Sequence, residues 1–285
     1  MREHDVSSAD GTRIRLWRTD TTGPDVLLSP GPGAAAAVWP ELSCARVHGW
    51  YHRGTMGSDR PADPSRVTLG DHVADAVAVL DDGGVERCVV VGWSMGVTVA
   101  AGLALRHPDR VSGLLLVAGA AGDSFAGTVG VPGLPEDVRR LIGVSSVAAL
   151  RLVGPLLDPV LHRVPVPELS SPVVGSLRRF LKHDWRWYFT LVLALGRAPR
   201  LDLTGVTCPT TVLAGQYDWL ASPDSVVGAV SGLPQARVRV LPNTHFLPWE
   251  NPRVVVEELE LLLARVRGVE RAVDDLLTSR SRPRA

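Results

Sequence analysis

The sequence predicts an α/β protein, a mostly parallel twisted sheet flanked by helices, with a helical segment inserted between two late strands. Three observations predict it. Short apolar runs such as Val89-Val90-Val91 and Leu114-Leu115-Leu116-Val117 have the length and unbroken hydrophobicity of strands buried on both faces. Segments of helical periodicity separate these runs, which implies βαβ units. Between residues 122 and 199 the strand pattern disappears, and helical stretches broken by Gly and Pro take its place before strands resume.

Thr12–Arg18 alternates polar and apolar residues, the period of a half-buried strand, and the Asp10-Gly11 turn pairs it with residues 4–9. After Gly23-Pro24, Asp25–Ser29 is a short buried strand that runs into Pro30-Gly31-Pro32-Gly33-Ala34, a loop where backbone can approach a ligand closely. A helix is expected over Val38–Ala45 and a strand over Arg46–His52, followed by the loop Arg53-Gly54-Thr55-Met56-Gly57-Ser58. Thr68 caps a helix running to Leu80, with Val73, Val77 and Leu80 on one face, and Gly83-Gly84 stops it. Arg87–Gly92 is the next strand; a helix follows Ser94 as far as Arg106, and Val111–Val117 is a further strand. Helices are expected over Glu136–Ile142 and Leu177–Leu195, strands over Pro209–Ala214 and Arg237–Leu241, and a last amphipathic helix over Pro252–Val266. The resulting partition is a core of residues 1–121 and 200–268, a helical lid of residues 122–199, and a basic tail of residues 269–285 expected to be disordered.

A chain of 285 residues suffices for one large α/β domain or two small ones, and 45% hydrophobic content supports a sizeable core. Thirty basic residues balance thirty acidic ones, so there is no charge footprint for nucleic acid or an anionic membrane. Cys44, Cys88 and Cys208 are odd in number and widely spaced, with neither a metal pattern nor a disulfide framework. Cys88 opens a strand and is expected to be a buried, inert thiol. Met1–Asp5 has no apolar signal region, and no apolar run reaches the ~18 residues needed to cross a bilayer. A cytoplasmic protein without stable membrane insertion is the expectation.

The chemistry centres on Gly92-Trp93-Ser94-Met95-Gly96. With a buried strand before it and a helix after it, this is a G-x-S-x-G elbow in the context that its geometry requires. The turn strains the serine backbone, and glycines stand on either side because β-carbons there would collide with neighbouring elements. Ser94 is therefore the candidate nucleophile. A serine hydroxyl at neutral pH needs a base within hydrogen-bond reach, and a histidine base needs an acceptor on its other nitrogen. Of eight histidines, only His245 follows the last predicted strand. The others, among them His48, His52, His107, His162 and His183, are expected to be surface or packed imidazoles. Asp218 directly follows the strand ending at Ala214, which puts it at the same sheet edge as Ser94 and His245. Asp123, after the strand ending near Ala118, is its competitor; Asp224 suits the first turn of a helix.

These motifs resemble those of the lidded serine α/β-hydrolase superfamily over nearly the whole chain. Gly92–Gly96 resembles its nucleophile elbow, and Arg53–Ser58 the loop after its fourth strand, although Tyr51 stands where many relatives have Asp. Gly215–Asp218 resembles the acid loop, and His245-Phe246 with Glu250-Asn251-Pro252 the histidine loop. The resemblance implies a hydrolase, without cofactor or metal, acting on an ester, thioester or lactone of a hydrophobic small molecule. In it Ser94 attacks, His245 moves the proton and Asp218 orients His245. The alternatives are a carbon–carbon bond hydrolase, a proline-type aminopeptidase, a perhydrolase, or a non-catalytic ligand-binding module on the same fold. Serine at the elbow argues against epoxide hydrolase and haloalkane dehalogenase chemistry, for which related folds use aspartate. An aminopeptidase would want lid carboxylates, for which Glu136, Asp137, Asp158, Glu168 and Asp184 are the candidates.

The resemblance also implies an oxyanion hole made by the Met95 N–H and a donor from Ser29-Pro30-Gly31-Pro32-Gly33, a loop that lacks the family's histidine. Three registers place Gly31, Pro32 or Pro30 at the donor position. Proline has no N–H, so Gly31 is the expected donor. In the lid, Leu181, Trp185, Tyr188, Phe189 and Val192 follow helical spacing and are expected to pack the lid onto the core. The sharper expectation is that Trp185 or Trp187 lines an apolar acyl pocket, with Trp93 as a further substrate contact.

Overall fold

The computed structural model describes residues 1–127, 134–166 and 172–280. Among these, eight strands form one sheet: β1 (Arg2–Ser7), β2 (Arg13–Arg18), β3 (Asp25–Ser29), β4 (Arg46–Trp50), β5 (Cys88–Trp93), β6 (Val111–Val117), β7 (Thr210–Gly215) and β8 (Ala236–Leu241). Their order is β1-β2-β4-β3-β5-β6-β7-β8. The pairs β1–β2 and β2–β4 are antiparallel and every other pair is parallel. Period-two alternation explains why the central strands read as unbroken apolar runs. Val90, Leu27, Leu114 and Leu116 enter one core layer, while Val89, Val91, Leu28, Leu115 and Val117 enter the layer on the opposite face.

The first layer is closed by α1 (Leu69–Asp82) and α2 (Gly96–Arg106), through Val73, Val79, Val97 and Leu103. A capping box starts α1: the Thr68 hydroxyl accepts from the Asp71 N–H, and Asp71 Oδ2 accepts from the Thr68 N–H. Between β6 and β7 the chain forms α3 (Ser124–Gly127), α4 (Glu136–Leu161), α5 (Pro172–Leu181) and α6 (Trp185–Gly196). This is the helical insertion. After β7 comes α7 (Pro223–Gly228), and after β8 come α8 (Leu247–Glu250) and α9 (Pro252–Arg280). The inner end of α9 closes the second layer with Val255, Leu259, Leu262 and Val266.

Several expected elements differ. No α-helix covers Val38–Ala45; a single 3-10 turn at Ala36–Val38 gives way to coil. Trp39 precedes Pro40 and is extended (φ −85°, ψ 144°), as the proline ring requires of its predecessor. The helix expected over Leu177–Leu195 is two helices, because Asp184 is extended and accepts from the Trp187 N–H to cap a new one. In α4, helix continues past Ile142, and Gly143 and Gly154 inside it are close-contact points: a Cβ would stand 3.0 Å from Phe125 and 2.7 Å from the Arg186 nitrogen. No unbroken apolar run reaches ~18 residues, but an 18-residue window of α4 has a mean hydropathy of 1.5 and is by length and composition long and apolar enough to cross a membrane. The apolar residues Leu141, Leu152, Leu156 and Val160 face outward. Finally, α9 continues to Arg280 rather than giving way to a disordered tail at residue 269, since neither Gly nor Pro interrupts residues 269–280. Residues 281–285 of that expected tail lie outside the described residues.

Candidate active site

The three parallel strands β5, β7 and β8 end at the same edge of the sheet, and each hands one side chain to it. Ser94 follows β5 with φ +56°, the left-handed conformation expected of a strained elbow. The flanking glycines are sterically required. A Cβ on Gly92 would stand 2.8 Å from the Gly96 carbonyl oxygen and from Val97 Cα, and one on Gly96 would stand 2.2 Å from the Ser29 carbonyl oxygen.

Ser94 Oγ lies 2.9 Å from His245 Nε2, and His245 Nδ1 lies 2.9 Å from Asp218 Oδ2. Both His245 and Asp218 are buried. The other Asp218 oxygen, Oδ1, accepts from the Leu220 and Ala221 N–H groups, each at 2.8 Å. The carboxylate is thus held at one oxygen and free to face the imidazole with the other. A carboxylate can only accept, so His245 Nδ1 carries the proton and Nε2 presents a lone pair to the serine hydroxyl. The histidine loop is braced twice. Trp93 Nε1 donates to the His245 carbonyl at 3.0 Å, and Glu250 accepts from the Thr244 N–H at 2.7 Å.

Asp123 is engaged elsewhere: Arg140 of α4 donates to both of its oxygens. Asp224 is in the first turn of α7, whose cap is Ser222. Among the lid carboxylates, Glu136 and Asp137 pair with Arg140, Asp158 accepts from the Trp185 N–H, and Asp184 pairs with Arg60. None of these lines the cavity beside Ser94, and Glu168 lies outside the described residues. Burial pushes the Cys88 thiol up to about 12, in keeping with an inert core cysteine. Among the described residues, no cluster of His, Cys, Asp or Glu could hold a metal ion.

A cavity of about 290 Å³ opens at Ser94. Trp93, Met95, Phe125, Val147, Leu220 and Phe246 supply much of its wall, and among the described residues no Asp, Glu, Lys or Arg lines it. From α5 and α6 the lid contributes Phe180, Tyr188 and Val192 rather than Trp185 and Trp187. Those two tryptophans, expected as pocket walls, turn the other way along α6. Trp187 donates its indole N–H to the Arg53 carbonyl at 2.7 Å and lies under the Arg60 guanidinium, while Trp185 packs on Phe180, Tyr188 and Phe189. Helical spacing predicts the stripe but not which of its edges meets the nucleophile. Burial pushes the Tyr188 phenol up to about 12, so it stays neutral in the pocket.

Gly31 lies directly against the nucleophile: a Cβ there would stand 3.3 Å from Ser94 Cβ. The Pro30 carbonyl accepts from His52 Nε2 at 2.8 Å. Gly31 and Pro32 both line the cavity beside Ser94. Met95 is the N-cap residue of α2, where helix N–H groups have no partner within the helix.

Strand order, the strained serine after β5 and the Ser–His–Asp row along one sheet edge together define the fold. The chain has the α/β-hydrolase fold. A family model described as alpha/beta hydrolase fold matches residues 26–146. The chain is 36% identical over 125 residues to a putative carbamate hydrolase, RutD, of Caulobacter vibrioides, covering 42% of this chain and 46% of that one. It is 26% identical over 310 residues to epoxide hydrolase A of Mycobacterium tuberculosis, covering 88% of this chain and 94% of that one. Among solved structures, an esterase, RhEst1, of Rhodococcus sp. ECU1013 superposes with a TM-score of 0.70 at 24% identity, covering 93% of this chain and all of that one (100%). The match to RutD thus spans a little under half of that relative, whereas the hydrolase fold itself extends over almost the whole chain.

Proposed function

We propose that the protein is a serine hydrolase that cleaves an ester, thioester or lactone of an uncharged, hydrophobic small molecule through an acyl-enzyme. One observation carries this: the unbroken row Ser94–His245–Asp218, with 2.9 Å at each link, opens on a pocket without charged walls. Ser94 Oγ bonds to the substrate carbonyl carbon as His245 Nε2 takes its proton, and the carbonyl electron pair moves onto oxygen. The Met95 and Gly31 N–H groups receive that oxyanion; one such donor is typically worth about 10²–10³ in turnover. His245 then gives the proton to the leaving alkoxide or thiolate as its bond to the acyl carbon breaks. Water repeats the sequence on the acyl-enzyme, giving its proton to His245, and Ser94 leaves with that proton. Asp218 holds the Nδ1–H tautomer and offsets the imidazolium charge.

The pocket walls favour a neutral acyl group and offer no carboxylate to an ammonium, which argues against an aminopeptidase. Ser94 at the elbow likewise argues against the reaction named for the mycobacterial epoxide hydrolase. The names carbamate hydrolase and esterase, carried by two similar proteins, both describe acyl transfer and support the reading. A fluorophosphonate probe tests it: Ser94 becomes labelled, the Ser94→Ala variant does not, and p-nitrophenyl esters, lactones and acyl-thioesters are turned over at differing rates. Absence of labelling in folded protein refutes it in favour of a ligand-binding module.

A further inference from the structure

Next to the Pro30–Gly31 peptide lie four buried ionisable residues for which the mechanism above has no use: His52, Arg53, His72 and Asp75. They form a chain with assignable protons. The Pro30 carbonyl can only accept, so His52 Nε2 carries hydrogen and donates to it at 2.8 Å. Burial pushes His52 down to about 4 and His72 well below the ordinary imidazole value, so both rings are neutral. With Nε2 protonated, His52 Nδ1 is an acceptor. His72 Nδ1, 3.2 Å away, must then be the donor. Asp75 Oδ2 lies 3.7 Å from His72 Nδ1 and favours a proton there, and Arg53 holds Asp75 in a fork, with Nε to Oδ2 at 2.8 Å and Nη2 to Oδ1 at 2.7 Å.

The consequence lies in one peptide plane. The Pro30 C=O and the Gly31 N–H belong to the same trans peptide unit and point in opposite directions. Rotating that unit changes ψ of Pro30 and φ of Gly31. Proline fixes only its own φ, and glycine tolerates nearly any φ, so local stereochemistry leaves the plane free to flip. The His52 bond to the Pro30 carbonyl opposes the flip. We propose that His52 is a positioning residue for the oxyanion hole: it holds the Pro30 carbonyl and so aims the Gly31 N–H, and His72 fixes the tautomer in which it can do so. This deepens the serine-hydrolase reading and rests on it.

The test compares His52→Leu, which has no donor, with His52→Gln, whose amide N–H can reach the Pro30 carbonyl. On a p-nitrophenyl ester, His52→Leu is expected to lose about 10–100-fold in kcat with KM within about threefold, part of the loss from removing a donor outright. His52→Gln recovers to within about fivefold of wild type. A trifluoromethyl ketone, which forms the oxyanion on binding, loses affinity to His52→Leu by the same factor as kcat. Should His52→Leu not fold, His72→Leu carries the test, with kcat expected about 3–10-fold lower at unchanged KM because His52 is then free to move its proton to Nδ1. A folded His52→Leu variant within threefold of wild-type kcat, a His52→Gln variant no better than His52→Leu, or a His72→Leu variant with unchanged kcat overturns the proposal. Fluorophosphonate labelling of the wild-type protein separates the two levels. If wild type labels at Ser94 and His52→Leu labels equally fast, positioning fails while the hydrolase reading stands; if wild type does not label, the hydrolase reading fails and takes the positioning role with it.

Discussion

Replacing Asp218 by Asn should cost far more activity than the loss of one hydrogen bond, because the surrounding backbone dictates how the new amide sits. Asp218 Oδ1 accepts two backbone N–H groups, from Leu220 and Ala221, at 2.8 Å each. Only the carbonyl oxygen of an asparagine can take that place, which leaves its NH₂ where Oδ2 now faces His245 Nδ1 at 2.9 Å. The imidazole must then present a lone pair at Nδ1 and carry its proton on Nε2, pointing at Ser94 Oγ. In that tautomer it cannot accept the serine proton. The expected fall in kcat is about 10³–10⁴, or ~4–5.5 kcal/mol of transition-state stabilisation. Stability should change by only about 1 kcal/mol, since the two backbone bonds survive. Asp218→Ala leaves both tautomers open and should fall less far. The assay is kcat on a p-nitrophenyl ester together with a urea midpoint for each variant. A folded Asp218→Asn protein within about tenfold of wild type would refute the tautomer argument.

Gly96→Ala puts a Cβ 2.2 Å from the Ser29 carbonyl oxygen and 2.6 Å from that of Pro30, both rigid backbone, and should destabilise the fold by about 3 kcal/mol; an unchanged urea midpoint would contradict it. Val192→Ala enlarges the pocket wall and should shift ester preference toward longer acyl chains, whereas Trp187→Ala, acting outside that wall, should leave it unchanged; chain-length profiles of kcat/KM decide. Burial works to raise the Asp10 carboxyl but is outweighed by hydrogen bonds from Arg53 and Thr12, which hold it down at about 2. Its folded value is below the ordinary ~4, so the stability it contributes is present above that value and is lost as pH falls from ~4 through 2. Asp10→Asn should therefore lower stability at neutral pH and flatten its decline over that window, read from urea midpoints at three pH values.

Much of the fold and the Ser–His–Asp row was legible from local chemistry. Val89–Val91 and Leu114–Val117 can only be strands sandwiched between two layers, and Gly92–Gly96 can only be an elbow between a strand and a helix. Chain order then left His245 as the one histidine beyond the last strand and Asp218 as the carboxylate closing the strand before it. These are short-range constraints, in which steric exclusion at glycine and the period of a buried strand need no knowledge of distant partners. Tertiary structure alone decided the rest. Asp123 and Asp218 both follow strands of the same sheet, and it is Arg140, arriving from α4, that claims Asp123. Trp187 and Tyr188 are adjacent in sequence, yet only Tyr188 turns toward Ser94, because α6 docks with the Trp187 indole on the Arg53 carbonyl. Glycines at 143 and 154, which read as breaks in isolation, lie inside α4 at points of close approach, where a Cβ would stand 3.0 Å from the Phe125 ring and 2.7 Å from the Arg186 nitrogen. His52 reads as one more packed imidazole until the carbonyl in front of it proves to be that of Pro30, the other half of the peptide that carries the Gly31 N–H.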